Sequence, residues 1–193
     1  MVYIAFEGGE GSGKSTQVRL LAERLDAVVT REPGGTDLGG RLRSILLDPG
    51  EAPVGPRAET LLMAADRAQH MRQVIRPALA AGRHVVSDRS VFSSLAYQGG
   101  GRELGVEAVR EINEWALDGC WPDHVVLLDL RAEAAAERLQ RGLDRLEQED
   151  RSFHDRVRAT YLELAASDDR WVVIDAAEPI DRVAEKVWAA VGS

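Results

Sequence analysis

The stretch "GGEGSGKS", Gly8 to Ser15, constrains this 193-residue chain more than any other. It follows the apolar run "VYIAF" and precedes "TQVRLLAERL", whose apolar residues recur at helical spacing. Glycine disfavours the interior of strands and helices, so four glycines in this stretch must serve something other than packing. A strand, a glycine-rich turn and a helix in that order begin a βα unit.

The rest of the chain continues in that style. Short β-branched runs predict strands at Val2–Phe6, Ala27–Thr30, His84–Asp88, Val125–Leu130 and Trp171–Asp175. Each is apolar on both faces, as strands of a parallel sheet covered by helices must be. Helical patterns span Lys14–Leu25, Asp37–Leu47, Arg57–Ala80, Val106–Leu117, Glu133–Arg138, Gln148–Ala166 and Ile180–Val191. The segments "DPGEAPVGPR" (Asp48–Arg57) and "YQGGGR" (Tyr97–Arg102) read as loops from their glycine and proline content. With no internal repeat and no low-complexity linker, the expectation is a single domain. Its fold class is α/β, a three-layer α/β/α arrangement on a five-stranded parallel sheet, with ligands beyond the carboxyl ends of the strands.

Composition narrows the function. Net charge is −8, which argues against a general binder of nucleic acid or of anionic membranes. No apolar run approaches the roughly 20 residues needed to span a bilayer. Val2–Phe6 is too short for a signal peptide, and one cysteine, Cys120, cannot form an internal disulfide; Cys120 reads as a small, partly buried hydrophobe. A reduced, cytoplasmic setting is expected. Nearly every basic residue is arginine, the two lysines being Lys14 and Lys186, so a lysine kept inside the glycine loop stands out.

"GGEGSGKS" matches G-x-x-x-x-G-K-[ST] in full. The glycines let successive backbone N–H groups turn inward around a phosphate chain, and the following helix adds its positive N-terminal end. Gly8, Gly9, Glu10, Gly11, Ser12, Gly13, Lys14, Ser15 and Thr16 therefore form the expected ATP site. Lys14 reaches the β- and γ-phosphates and Ser15 ligates Mg²⁺. Of the P-loop classes, a guanine-nucleotide switch needs N-K-x-D, and the single asparagine, Asn113, is followed by Glu114. A nucleic-acid motor is normally larger and more basic. A kinase of a small anionic acceptor remains, and it needs cationic side chains on loops near the phosphates and a lid against water.

"TREPGGT" (Thr30–Thr36), "SDRS" (Ser87–Ser90), "AYQGGGR" (Ala96–Arg102) and "RLQRGLDRLEQE" (Arg138–Glu149) meet those needs. At these separations, and together with the glycine loop, they resemble the thymidylate kinase family from Tyr3 to the last predicted strand at "VIDA". The resemblance implies the P-loop nucleoside-monophosphate-kinase fold and ATP-dependent conversion of dTMP to dTDP. It also implies a homodimer and a mobile lid at about residues 138–149. Glu10 matches the position beside the 3′-hydroxyl of the acceptor sugar, Arg89 the grip on the acceptor phosphate, and Asp88 a place near the metal. Arg31 and Glu32 line the same space. Arg67 matches the arginine on the thymine edge, Ser94 a base contact, and Tyr97 the ring that excludes a ribose 2′-hydroxyl, although a plain core aromatic is an alternative for Tyr97. Met63 stands where an aromatic residue usually stacks on thymine, and Ser90 where a ring commonly follows the Asp-Arg pair. The lid is one residue shorter than in some relatives, between Gly142 and Leu143.

With no arginine in the loop, the resemblance points to the bacterial form with an arginine-rich lid, and to Arg141 and Arg145 as catalytic beside Lys14 and Arg89. Arg138 completes the lid's basic set. A kinase of another nucleoside monophosphate or of a deoxynucleoside, and a nucleotide-binding module without turnover, are the alternatives.

Overall fold

The structure, a computed structural model, describes residues 1–131, 134–135, 138 and 142–192. Among these residues the strands are β1 (Tyr3–Glu7), β2 (Val28–Arg31), β3 (Val85–Asp88), β4 (His124–Asp129) and β5 (Trp171–Asp175). They form one parallel sheet in the order β2-β3-β1-β4-β5. The helices are α1 (Lys14–Leu25), α2 (Asp37–Leu47), α3 (Pro56–His70), α4 (Arg76–Ala80), α5 (Val91–Ser94), α6 (Val106–Leu117), α7 (Arg151–Ala166) and α8 (Ile180–Val191). The expected helix Glu133–Arg138 lies largely outside the described residues.

Alternation along the strands sends side chains to two separate cores. Ile4, Phe6, Val126 and Leu128 pack with Val18 and Leu21 of α1 and with Val183, Val187 and Val191 of α8. Tyr3, Val85 and Val125 pack on the other face with Phe92, Val109, Leu117 and Leu164. The expectation that every strand is apolar and covered on both faces holds for β1, β3 and β4 and fails at the edges. Val29 of β2 and Val173 of β5 are about half exposed, at 56% and 48%, because an edge strand has helices over only part of its surface.

Two segments depart from the sequence expectation. The single helix expected over Arg57–Ala80 is instead α3, a π-helical turn at Met71–Ile75, and α4. Pro77 accounts for the widening: it has no N–H, and its ring crowds the carbonyl of residue 73. The expected loop "YQGGGR" is mostly a second π-helical turn, Leu95–Gly101, running on from α5. Its glycines are there for close approach. A Cβ on Gly100 would lie 2.0 Å from the Thr160 hydroxyl, so α7 packs directly on this backbone.

Sheet order places the site. β1 lies between β3 and β4, with Phe6 in register with Asp88, so the loop after β1 and the residues ending β3 emerge side by side. The chain crosses from β1 to β2 on one side and from β3 to β4 on the other, which opens a crevice at the carboxyl ends of the strands.

Candidate active site

A cleft of about 440 Å³ occupies that crevice, walled on one side by the glycine loop and on the other by α3, α5 and the segment after β3. Gly8 begins the loop with φ +136°, and a Cβ there would lie 2.4 Å from the Leu128 carbonyl, so no other residue fits the turn off β1. The loop ends at α1, which has no acidic residue in its first turn and therefore presents an unneutralised positive end. The Lys14 ammonium is buried and donates to the carbonyls of Gly8 (3.2 Å) and Gly9 (2.8 Å). Burial, and after it the Arg89 charge, lowers the pKa of Lys14.

Ser15 donates through Oγ to Asp88 Oδ2 at 2.7 Å, which joins the two residues expected at the metal. A hydroxyl and a carboxylate are hard oxygen donors that suit Mg²⁺, with phosphate oxygens and water completing the shell. Among the described residues no group of three or more His, Cys, Asp or Glu could hold a metal by itself. The fit is thus to an ion shared with a bound nucleotide.

Arg89 is the hub of the opposite wall. Its backbone is left-handed at φ +72°, a strained conformation for a residue with a side chain, held by its N–H donating to Phe6 (2.9 Å) and its carbonyl accepting from Ser87 Oγ (2.7 Å). The guanidinium pairs with Glu10 and donates to the Gly8 carbonyl (3.1 Å), Ser93 Oγ (3.2 Å) and Tyr97 OH (3.2 Å). It also lies 5.1 Å over the Tyr97 ring. Burial alone would raise the Glu10 pKa, but Arg89 and then Lys14 override it and hold the carboxyl far below the ordinary range. Burial pushes the Tyr97 phenol up to about 12, so Tyr97 is a neutral donor and acceptor.

The far end of the cleft rests on a buried ion-pair network. Arg67 donates through Nε to Glu32 Oε2 (2.9 Å), through Nη1 to Asn113, and through Nη2 to the Ser90 carbonyl (3.1 Å). Glu32 spends its other oxygen on His70 Nδ1 (2.8 Å), and His70 Nε2 meets Thr30 Oγ1 (2.6 Å). Burial raises the Glu32 pKa, yet Arg67 and His70 outweigh it and the net shift is downward. Glu32 lines the cleft with both oxygens engaged, one by Arg67 and the other by His70. Met63, Ser94 and Arg31 line the cleft as expected.

The lid arginines part company. Arg138 donates to the Ala176 carbonyl (3.0 Å) and lies at the cleft. Arg145 does not reach the glycine loop. It donates to Glu59 Oε2 (3.3 Å), a carboxylate that also holds Arg102 and Gln98. Arg141 lies outside the described residues.

Sequence reasoning missed Arg43, Asp66 and Glu7. Arg43 lines the cleft from α2 and donates to the Pro33 carbonyl (2.9 Å); burial, and then Arg31 nearby, lowers its pKa. Asp66 accepts from the Gly34 N–H (3.1 Å) and ties the "PGG" turn to α3. Glu7 is fully buried at the end of β1. No local signal marks Arg43 among so many arginines. A charged residue closing an otherwise apolar strand was a usable signal for Glu7.

Comparison with known proteins agrees with this geometry. The sequence model of the thymidylate kinase family matches residues 6–187. The chain is 50% identical over 194 residues to a thymidylate kinase of Leifsonia xyli subsp. xyli, covering 96% of this chain and 92% of the relative. It is 46% identical over 201 residues to one of Halothermothrix orenii, covering 98% and 96%. Among solved structures, thymidylate kinase from Ehrlichia chaffeensis superposes with a TM-score of 0.81 at 30% identity, with 98% of each chain covered. The chain belongs to the thymidylate kinase family.

Proposed function

We propose that this enzyme transfers the γ-phosphoryl group of ATP to dTMP, giving ADP and dTDP. The observation that carries the reading is the confrontation, across one cleft, of the Gly8–Ser15 loop with Arg89, which is paired to the loop's own Glu10, and, beyond it, Arg67. The loop suits the donor's phosphates and Arg89 the acceptor's.

The nucleophile is a phosphate oxygen of dTMP, mostly dianionic at neutral pH because its second pKa is about 6. No base is needed to remove a proton. The obstacle is repulsion: two unit charges at about 4 Å cost about 4 kcal/mol even at an effective dielectric of about 20. Lys14 reduces it from the donor side and Arg89 from the acceptor side, while the loop amides keep the donor phosphates in line with the attack. Ser15 and Asp88 would hold Mg²⁺, which would supply further positive charge at the transferring group. Arginines of the lid, among them Arg141, complete the cation set when the segment at about 138–149 closes over the donor, and Arg145 joins them by leaving its carboxylate partner Glu59.

Recognition of dTMP is divided along the cleft. Glu10, fixed by Arg89, accepts from the 3′-hydroxyl of the sugar. Arg67 and Ser94 present donors to the thymine edge, Met63 packs on its face, and the Tyr97 ring fills the space a ribose 2′-hydroxyl would need. The enzyme works in the cytoplasm, and among the described residues no helix is long and apolar enough to cross a membrane. It works as a homodimer: α3 and α6 leave Leu61, Ile112 and Trp115 exposed, Trp115 at 85%.

The test is an acceptor panel with ATP: dTMP, dUMP, dCMP, dGMP and thymidine. The highest kcat/KM is expected for dTMP, followed by dUMP. A preference for another monophosphate, or for thymidine, would replace the substrate assignment, and nucleotide binding without ADP release would remove the enzyme.

A further inference from the structure

We propose that Glu7, fully buried on β1 and outside the cleft lining, is a positioning residue that fixes how Arg89 presents its guanidinium to the acceptor phosphate, through the hydroxyls of Ser93 and Tyr161. The proposal rests on the reading of Arg89 as the group that holds that phosphate.

The bonded partners of the Glu7 carboxylate are three hydroxyls. Ser93 Oγ donates to Oε2 at 2.6 Å, Tyr161 OH to the same oxygen at 2.8 Å, and Ser90 Oγ to Oε1 at 2.7 Å. Ser93 Oγ and Tyr161 OH each also accept from Arg89 Nη1, at 3.2 and 3.4 Å. A guanidinium only donates, so a hydroxyl that accepts from it must send its own proton elsewhere. Glu7 Oε2 is the charged acceptor within reach of both, and the two hydroxyls also lie 2.9 Å from each other. Carboxylate, hydroxyl pair and guanidinium thus make one chain polarised in a single direction. Burial, and next the Glu7 charge, hold the Tyr161 phenol protonated far above its ordinary pKa, so it stays a donor toward Glu7.

Packing alone gives a weak reason for this carboxylate. An ionised group in a protein interior is costly, and burial pushes the Glu7 pKa up against the three hydroxyl bonds and the Arg89 charge. An amide in its place would put an NH₂ against one or more of those hydroxyls. Turned toward Ser93 and Tyr161, the NH₂ would force those hydroxyls to reverse and point their hydrogens at Arg89; turned toward Ser90, it would leave them a neutral acceptor in place of a charged one. The third hydroxyl extends the reach of the device. Ser90 donates to Glu7 through its side chain and accepts from Arg67 through its carbonyl, so one carboxylate sits at the junction of the phosphate-end and base-end arginines.

The experiment compares two ligands that differ only in the phosphate. Binding of dTMP and of thymidine is measured by calorimetry on the parent enzyme and on Glu7→Gln, with melting followed by circular dichroism. Loss of an ordered charged hydrogen-bond chain is expected to weaken dTMP about tenfold while thymidine stays within about twofold. In the Ser93→Ala/Tyr161→Phe background, adding Glu7→Gln is expected to cost no further dTMP affinity. Should Glu7→Gln fail to fold, Ser93→Ala and Tyr161→Phe carry the same ratio test. An equal loss for both ligands, or no loss for either, overturns the proposal. Arg89→Lys separates the two layers of the argument. If it leaves the dTMP-to-thymidine ratio unmoved, the reading of Arg89 fails. If it moves the ratio and the Glu7 and relay variants do not, only the role of Glu7 fails.

Discussion

The two walls of the cleft are built by different means. The donor wall is one contiguous stretch, Gly8–Ser15, whose working parts are backbone amides, a helix end and the side chains of Lys14 and Ser15. The acceptor wall draws Arg67, Arg89 and Tyr97 from separate elements, holds them with buried ion pairs and joins the loop through the Arg89–Glu10 pair. A wall of backbone depends on the shape of one turn. A wall of side chains depends on partners distant in sequence, as Arg67 depends on Asn113 and Glu32 depends on His70. The difference predicts that single substitutions on the donor side change rate with little cost to the fold, whereas on the acceptor side rate, affinity and stability move together.

Lys14→Ala tests the donor half with the largest expected effect. Removing one preorganised cation from a transferring phosphoryl group is expected to lower kcat by about a thousandfold. The amides and the end of α1 remain, so ADP affinity measured by calorimetry should fall by less than about tenfold. If ADP binding fell as far as kcat, the wall would owe its binding to the lysine, and the contrast with the acceptor side would be lost.

Glu32→Gln tests the acceptor half through stability. Neutralising one partner of a buried pair leaves Arg67 uncompensated, at a cost of about 3 kcal/mol in chemical denaturation. The pH dependence has a definite sign. Arg67 and His70 hold the Glu32 carboxyl below its ordinary value of 4.5 in spite of burial. Its contribution is therefore complete above that value and fades as pH falls through the lower folded-state pKa. The melting gap between parent and variant should stay constant from neutrality down to about pH 5 and narrow at more acid pH. A gap independent of pH would mean that Glu32 stabilises by packing and not by charge.

The same contrast governs how much the sequence disclosed. The donor wall was legible because its chemistry is local: glycine spacing, one lysine and one hydroxyl state the geometry within a single turn. β1, β3 and β4 were legible because burial on both faces leaves a continuous apolar run, and they emerged within one residue of expectation. The π-helical turns were not legible, since each answers a neighbour, Pro77 in one case and the approach of α7 to Gly100 in the other. Arg67 and Tyr97, named from motifs, do line the cleft. The partners of such residues could not be named, because the pairing of Arg67 with Asn113 spans 46 positions and that of Arg89 with Tyr161 spans 72. Glu10 illustrates the limit: an acid inside a phosphate loop reads as odd in sequence and becomes intelligible only with Arg89 beside it.

Tyr97→Phe is the smallest and most selective perturbation of the acceptor wall. It removes the hydroxyl that accepts from Arg89 Nη2 at 3.2 Å and keeps the ring under the guanidinium. One neutral acceptor lost from a charged donor that retains Glu10 and Ser93 is expected to raise the KM for dTMP about threefold, with kcat nearly unchanged. The ring still fills the space beside the sugar, so discrimination against the ribonucleotide should survive within about twofold. Tyr97→Ala removes the ring as well and should narrow that discrimination. Steady-state kinetics with the deoxy- and ribo-forms of the same monophosphate read both quantities. If Tyr97→Phe relaxed sugar selection as far as Tyr97→Ala, selection would reside in the hydroxyl's hydrogen bond and not in the volume of the ring, and the acceptor wall would discriminate by polar pairing along its whole length.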